Sequence, residues 1–297
     1  MVIVSIRYSY DMDFQRLRSF AEIVRCQSFT AASRRLNLTQ PALSRQMALL
    51  EREVGAELFV RSGRLMLPTP AAERLYAIAL EAEDLERRMT GENELRSLHI
   101  AVGGSAGVGI VPPILARLRE DFPALSIRIT ESLPAELQRL AASGVADIVI
   151  HEPFSDQGML VSEPLYRDRV QAMVGMAPAR MTLKQLRSTP LLLFEKGSSL
   201  RRAAEQILQP LYADFESNVM MELRTIAALQ ASLLAVSSVG FLSSLTVTER
   251  IRPLRLSGAV LSTERTFLLS HLRGRRLQPY LDGIRKAIPP EVRIRNS

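Results

Sequence analysis

Between Asn37 and Gln46 the chain reads NLTQPALSRQ, and the proline at its centre governs how this region can fold. Inside a helix, proline removes a hydrogen bond and clashes with the preceding turn. In the first turn it loses nothing, because the first four N–H groups have no intrahelical partner and its fixed φ already suits the helix. Thr39 is a good N-cap, so Gln40 and Pro41 fall in the first turn, and Pro41 starts a helix instead of breaking one. That helix is expected to run to about Val54, with Gly55 ending it. Leu43, Met47, Leu50 and Val54, spaced 4-3-4, form its inward face. Gln40, Ser44, Arg45 and Ala48 form its outward face.

Upstream, Phe14, Leu17, Phe20, Ala21 and Val24 draw one apolar stripe on a helix. Ser28 is placed to cap a second helix at Ala31 to Leu36, and Asn37-Leu38 is turn chemistry, with Asn tolerant of a left-handed backbone. Two short helices joined by a turn of about three residues, the second presenting polar residues from its first turn, make a helix-turn-helix. ELFVRSGRLMLPT reads as two short strands around Ser62-Gly63, a hairpin wing. Thr69-Pro70 repeats the cap-then-proline device and opens another helix. Its Leu75, Ile78, Ala82, Leu85 and Met89 follow 3-4-3-4 spacing, a short seam suited to dimerisation or to packing within its own domain. Gly91 to Ser97 reads as a polar linker.

Beyond residue 97 the period changes. LHIAVG, LSIRITES and ADIVIHE read as strands separated by helices at Val111 to Asp121 and 134–144. The pattern then restarts with strands at 165–175, 190–196, 217–224, 239–244 and 263–272, interleaved with helices, the last from Leu277 to Ile288. Near-continuous apolar strands alternating with amphipathic helices predict a parallel α/β sheet, here in two lobes with a cleft between them.

Bulk properties bound the function. At 297 residues the chain suits two or three domains. No apolar run approaches the ~20 residues that span a bilayer. The start, MVIVSIRYSYDMDF, lacks the marks of a secretory signal, and the single Cys26 permits no internal disulfide. These features predict a cytoplasmic protein without membrane contact. Net charge is +7 and arginine dominates, the only lysines being Lys184, Lys196 and Lys286. Phe14 to Arg64 holds nine Arg against four Glu, and Arg250 to Ser297 eleven basic against three acidic residues. A basic helix-turn-helix fits nucleic-acid binding.

SFTAASRRLNLTQPALSRQMALLEREVGAELFVRSGRLMLPTPAAERL resembles the DNA-binding domain of the LysR-type transcriptional regulators. The SFTAA helix, the QPALSRQ recognition helix, the LE…VG…LF.R run and the wing carry the likeness over about residues 13–90. DFPALSIRI, VADIVI and SEPLYRDRVQAMVG sit where that family has similar phrases in its effector-binding domain, which resembles a type 2 periplasmic binding protein. Two departures stand out: Thr69-Pro70-Ala71-Ala72 where the family usually has Thr-x-Ala-Gly, and AVSSVGFLSS where it often has a Gly-rich turn and Leu-Pro. The resemblance implies an α/β fold with an N-terminal all-α winged helix-turn-helix. It divides the chain into an extension (1–12), a DNA-binding domain (13–69), a dimerising linker helix and hinge (70–97) and a two-lobed effector domain (98–297). It implies promoter DNA and a small-molecule effector as partners, RNA polymerase as a further one, dimers or tetramers, and association with the nucleoid. The competing class is a two-lobed small-molecule binding protein or enzyme without a DNA role, which leaves the first 90 residues unexplained.

The candidate DNA contacts are Gln40, Ser44 and Arg45 toward base edges or phosphates, Thr39 and Pro41 at the helix start, Arg34 and Arg35 toward phosphates, and Arg61 and Arg64 flanking the wing turn. GGSAGVG (103–109) lacks the G-x-G-x-x-G order of a dinucleotide fold and reads as a small-molecule pocket at a helix N-terminus, where N–H groups favour a carboxylate or other small anion. Gly104 and Ser105 belong to that pocket, with Glu131, Ser132 and His151 at neighbouring strand ends. Phe194, Lys196, Ser198 and Ser199 at the opposite strand–helix turn, and Ser243 in the late serine-rich run, complete it. No metal-ligand spacing joins His99, His151 and His271, and no nucleophile–base pair can be named, so neither a cofactor nor catalysis is expected.

Overall fold

The structure is a computed structural model and describes residues 14–62, 65–89, 95, 97–155, 158, 160–273 and 277–294. The expected extension (residues 1–12), Arg64, the Met89 side chain and most of the linker from Gly91 lie outside the described residues. Two compact units result, one dominated by the chain up to Leu95 and the other by the chain after it.

The first unit opens with α1 (Phe14–Cys26), α2 (Phe29–Arg35) and α3 (Gln40–Val54). Ser28 caps α2 through Ala31 N–H at 3.3 Å, so α2 begins two residues earlier than expected. Asn37 takes the left-handed conformation in the turn, at φ 54. Thr39 accepts from Ala42 N–H at 3.3 Å, and Pro41 lies in the first turn of α3. Gly55, left-handed at φ 72, closes the helix by donating to the Glu51 carbonyl at 2.8 Å.

Leu43, Met47 and Leu50 are buried, and α3 packs on α1, whose Leu17, Phe20 and Val24 are buried too. Val54 is exposed, contrary to expectation: it ends the last turn, beyond the part of α3 that the core covers. The antiparallel hairpin β1 (Phe59–Ser62) and β2 (Leu65–Pro68) forms the wing, with Phe59 turned in against Phe20 and Phe29 at ring distances of 5.6 and 5.7 Å.

The helix α4 (Pro70–Met89) packs on α1, where Tyr76 meets Phe20 and Glu83 takes both guanidinium nitrogens of Arg25 at 3.0 and 2.6 Å. Leu75 is only 6% exposed, because it belongs to the inward stripe Ala72, Leu75, Tyr76, Ala79, Leu80; it therefore leaves the proposed dimer seam. Ile78 at 49% and Leu85 at 41% are exposed, and Ala82 is half-buried.

In the second unit the chain forms β3 (Ser97–Val102), α5 (Gly104–Gly109), α6 (Val111–Asp121), β4 (Ser126–Glu131), α7 (Pro134–Ala142) and β5 (Ile148–His151). The long β6 (Leu160–Val174) leads to β7 (Arg180–Met181), α8 (Leu183–Ser188), β8 (Leu191–Phe194), α9 (Ser199–Leu208), β9 (Val219–Leu223), α10 (Ile226–Ala235) and β10 (Val239–Ser243). Short strands β11 (Arg252–Pro253), β12 (Arg255–Leu256) and β13 (Ala259–Val260) precede β14 (Ser262–Leu272) and α11 (Gln278–Ala287).

The main sheet runs β4-β3-β5-β14-β6-β10-β8-β9. Strands β3, β4 and β5 are parallel in the first lobe, and β8, β9 and β10 in the second. The sheet is mixed, because β14 pairs antiparallel with β5 and β6 antiparallel with β10. These two strands carry the chain between the lobes, and α11 returns to pack on α6. The glycine run 104–109 is itself a short helix, which the sequence reading did not separate from α6.

Candidate functional site

The outer face of α3 is built by its cap. Thr39 fixes the first turn, which sets Gln40, Pro41, Ser44 and Arg45 on the exposed side. The Arg45 and Arg34 guanidinium groups are exposed and make no hydrogen bond or ion pair with the described residues, and neither does the Ser44 hydroxyl. Arg35 is exposed but pairs with Glu22 at 2.9 Å, and Gln40 accepts from the Thr30 hydroxyl at 3.2 Å. Arg61 is exposed on β1. Cys26 is half-buried and donates to Glu22 at 3.3 Å; burial and that carboxylate push its thiol up to about 11, which leaves it unreactive.

In the second unit a cavity of about 390 Å³ opens between the lobes. The ends of β3, β4 and β5 supply one wall, through Gly104, Ser105, Glu131, Ser132, His151, Glu152 and Phe154. The turns β8–α9 and β9–α10 supply the other, through Phe194, Glu195, Ser198, Ser199 and the segment Arg224–Ala227. Ser198 caps α9 through Arg201 N–H at 3.1 Å, and Thr225 caps α10 through Ala228 N–H at 3.2 Å. Both helices thus turn their N-termini toward the cavity, where free backbone N–H groups collect.

Two of the expected pocket residues lie elsewhere. Lys196 is exposed in the turn before Gly197 and does not line the cavity. Ser243 is fully buried, donates to Asp168 at 2.6 Å and accepts from Leu245 N–H, so its role is to hold Asp168.

His151 lines the wall without a nitrogen to offer. Its Nδ1 lies 2.5 Å from the Glu152 carbonyl and its Nε2 2.7 Å from the Ser270 hydroxyl, which in turn meets Ser162. Its ring stacks on Phe154 at 3.6 Å. Burial lowers its pKa to about 4, so at neutral pH the ring is uncharged, donating from Nδ1 and accepting at Nε2.

Beneath the cavity Arg265 on β14 gathers both lobes. Its side chain is 8% exposed and donates to Asp168 at 2.6 and 2.8 Å, Glu152 at 2.9 Å, Ser105 at 2.6 Å and Ser199 at 2.5 Å. It also lies over the Phe267 ring at 4.9 Å. The Ser199 hydroxyl donates to Glu152, and Arg202 reaches the other Glu152 oxygen at 3.0 Å. Sequence reasoning missed this cluster: Arg265 stands mid-strand, 97 positions from Asp168 and 160 from Ser105. It also missed Arg224–Ala227, although that strand–helix turn carries the same signal as the turn at 194–199.

A winged helix-turn-helix followed by a two-lobed α/β domain with an inter-lobe cavity defines a ligand-responsive DNA-binding protein. Residues 14–73 match the family of bacterial regulatory helix-turn-helix proteins of the lysR type, and residues 91–289 match the LysR substrate binding domain. The chain belongs to the LysR family of transcriptional regulators, and it is a DNA-binding regulator with an effector-binding domain, not an enzyme.

Among its relatives, the Bacillus subtilis regulator AlsR is 30% identical over 217 residues, covering 69% of this chain and 68% of AlsR. The Escherichia coli K12 regulator YeiE is 26% identical over 249 residues, covering 82% and 84%. In fold the chain is similar to full-length Pseudomonas aeruginosa OxyR, with a TM-score of 0.68 at 18% identity over 93% of this chain and 97% of that one. No helix among the described residues is long and apolar enough to cross a membrane.

Proposed function

We propose that α3 enters the major groove of a promoter site and reads it with Gln40, Ser44 and Arg45, while Arg34 and Arg35 grip phosphates and Arg61 and Arg64 serve the wing. The observation that carries this reading is the exposed face of α3, where Arg45 and Ser44 have no partner among the described residues although Thr39 and Pro41 hold the helix start rigid. Arginine suits guanine in bidentate geometry and glutamine suits adenine. Ile78 and Leu85, apolar and exposed along α4, support a homodimer seam, from which a tetramer follows by a second contact. The protein then acts in the cytoplasm on the nucleoid, where RNA polymerase is the partner its promoter binding would recruit or block.

The effector is assigned to the 390 Å³ cavity, with a carboxylate or other small anionic group received by the N-termini of α9 and α10. A gel shift with the promoter region of its own gene tests the DNA reading. Specific binding should exceed binding to random DNA by at least a thousandfold at physiological salt; equal affinity for both sinks it.

A further inference from the structure

The cavity lining carries more carboxylate than the anion reading requires. Among the described residues its charged side chains are Glu131, Glu152, Glu195 and Arg224. Glu152 is answered by Arg265 and Arg202, and Glu195 by Arg224 at 2.8 Å. Glu131, at the end of β4, makes no hydrogen bond or ion pair with any described residue. It lies against α5, where a Cβ on Gly107 would stand 1.9 Å from its Oε1, so the bare glycine lets the carboxylate sit there. Much of the remaining wall is apolar, with Phe154, Phe194, Phe267, Leu137 and Ile226.

Glu131 is exposed, and a ligand filling this space displaces water from the side that lines the cavity. An uncharged or purely anionic ligand leaves that carboxylate dehydrated on that side and unanswered, which costs free energy, whereas an ammonium or guanidinium group restores a charge-assisted hydrogen bond. We propose that the effector is amphoteric: an amino-carboxylate whose anionic end meets the second-lobe helix N-termini and whose cationic nitrogen meets Glu131 across the cleft. This rests on the cavity being the effector site.

The test uses the full chain and thermal unfolding in the presence of each standard amino acid, its des-amino carboxylate and its decarboxylated amine. At least one amino acid should raise the unfolding temperature by a few degrees at saturation. Its des-amino carboxylate should bind at least tenfold more weakly. Glu131→Gln should remove the same factor for the amino acid and leave the carboxylate unchanged. Gly107→Ala, which pushes the Glu131 carboxylate aside without removing its charge, should weaken the amino acid selectively and leave the unliganded protein folded.

A des-amino carboxylate that binds as well as its amino acid overturns the proposal, as does an amino acid indifferent to Glu131→Gln. Ala227→Trp separates this failure from that of the site itself. Binding of any probe that survives the filled cavity overturns the cavity assignment, and stabilisation by no probe at all overturns both.

Discussion

Arg45 and Arg265 are the same residue used in opposite ways. Arg45 stands exposed in the first turns of α3 with no partner among the described residues. Arg265 is nearly buried, and five hydrogen bonds tie it to Asp168, Glu152, Ser105 and Ser199. A guanidinium loses rotamer freedom and hydration when it is fixed, so a fully bonded one organises its own protein, and a free one on a rigid helix is available to an outside partner. The DNA-facing surface therefore keeps its polar groups open, and the cleft closes most of its own. Among the described residues of the cleft Glu131 is the lining charge left open, which makes it the counterpart of Arg45.

The strongest way to break the comparison is Arg265→Met. It leaves the buried Asp168 without its cation and Glu152 with Arg202 alone, and should cost about 3–5 kcal/mol in denaturant unfolding. A loss under about 1 kcal/mol would mean the cluster is incidental. Arg45→Ala, in the same assay, should change stability by no more than about 0.5 kcal/mol.

Next comes acid. The folded pKa of His151, about 4, lies below its ordinary 6.5, so the unfolded chain binds a proton first. The stability that the neutral ring contributes is complete above pH 6.5, falls as pH drops toward 4, and amounts to about 3 kcal/mol. His151→Gln should flatten that segment of the pH–stability curve; an unchanged slope would place the acid sensitivity elsewhere.

On the open side, Arg45→Ala should cost about 1–3 kcal/mol in specific binding and much less on random DNA. Proportional losses on both would demote it to a phosphate contact. The smallest effect is expected of Arg34→Ala, which should lower the slope of log affinity against log salt by about 0.9 and leave sequence preference intact.

The two regions also differ in how much of them was legible in the sequence. In the first unit every decisive signal is local. Thr39 caps α3 three residues from the N–H it accepts, Asn37 takes the left-handed turn and Gly55 the left-handed stop. Where the reading failed there, a tertiary surface intervened: Leu75 was turned inward by α4 packing on α1, and Val54 lay beyond the core. In the second unit the strand ends and capped helices were visible, and with them Ser105, Glu131, Ser132, Phe194, Ser198 and Ser199 around one cavity. The turn at Arg224–Ala227, which also lines the cavity, carries the same strand–helix signal. Lys196 and Ser243 were placed by sequence adjacency to that wall, but one faces water and the other faces Asp168.

By itself the sequence determined the winged helix-turn-helix, the order of the main strands and helices, and which residues the first turn of α3 presents. Those follow from capping, left-handed turns and hydrophobic period, which act within a few residues. Only the tertiary structure decided that β6 and β14 cross the sheet antiparallel, that Arg265 finds Ser105 and Asp168, and that His151 is held neutral. It also decided that Glu131 is left unanswered among the described residues. These are pairings across many tens of residues, set by which faces the sheet brings together, and no local pattern records them.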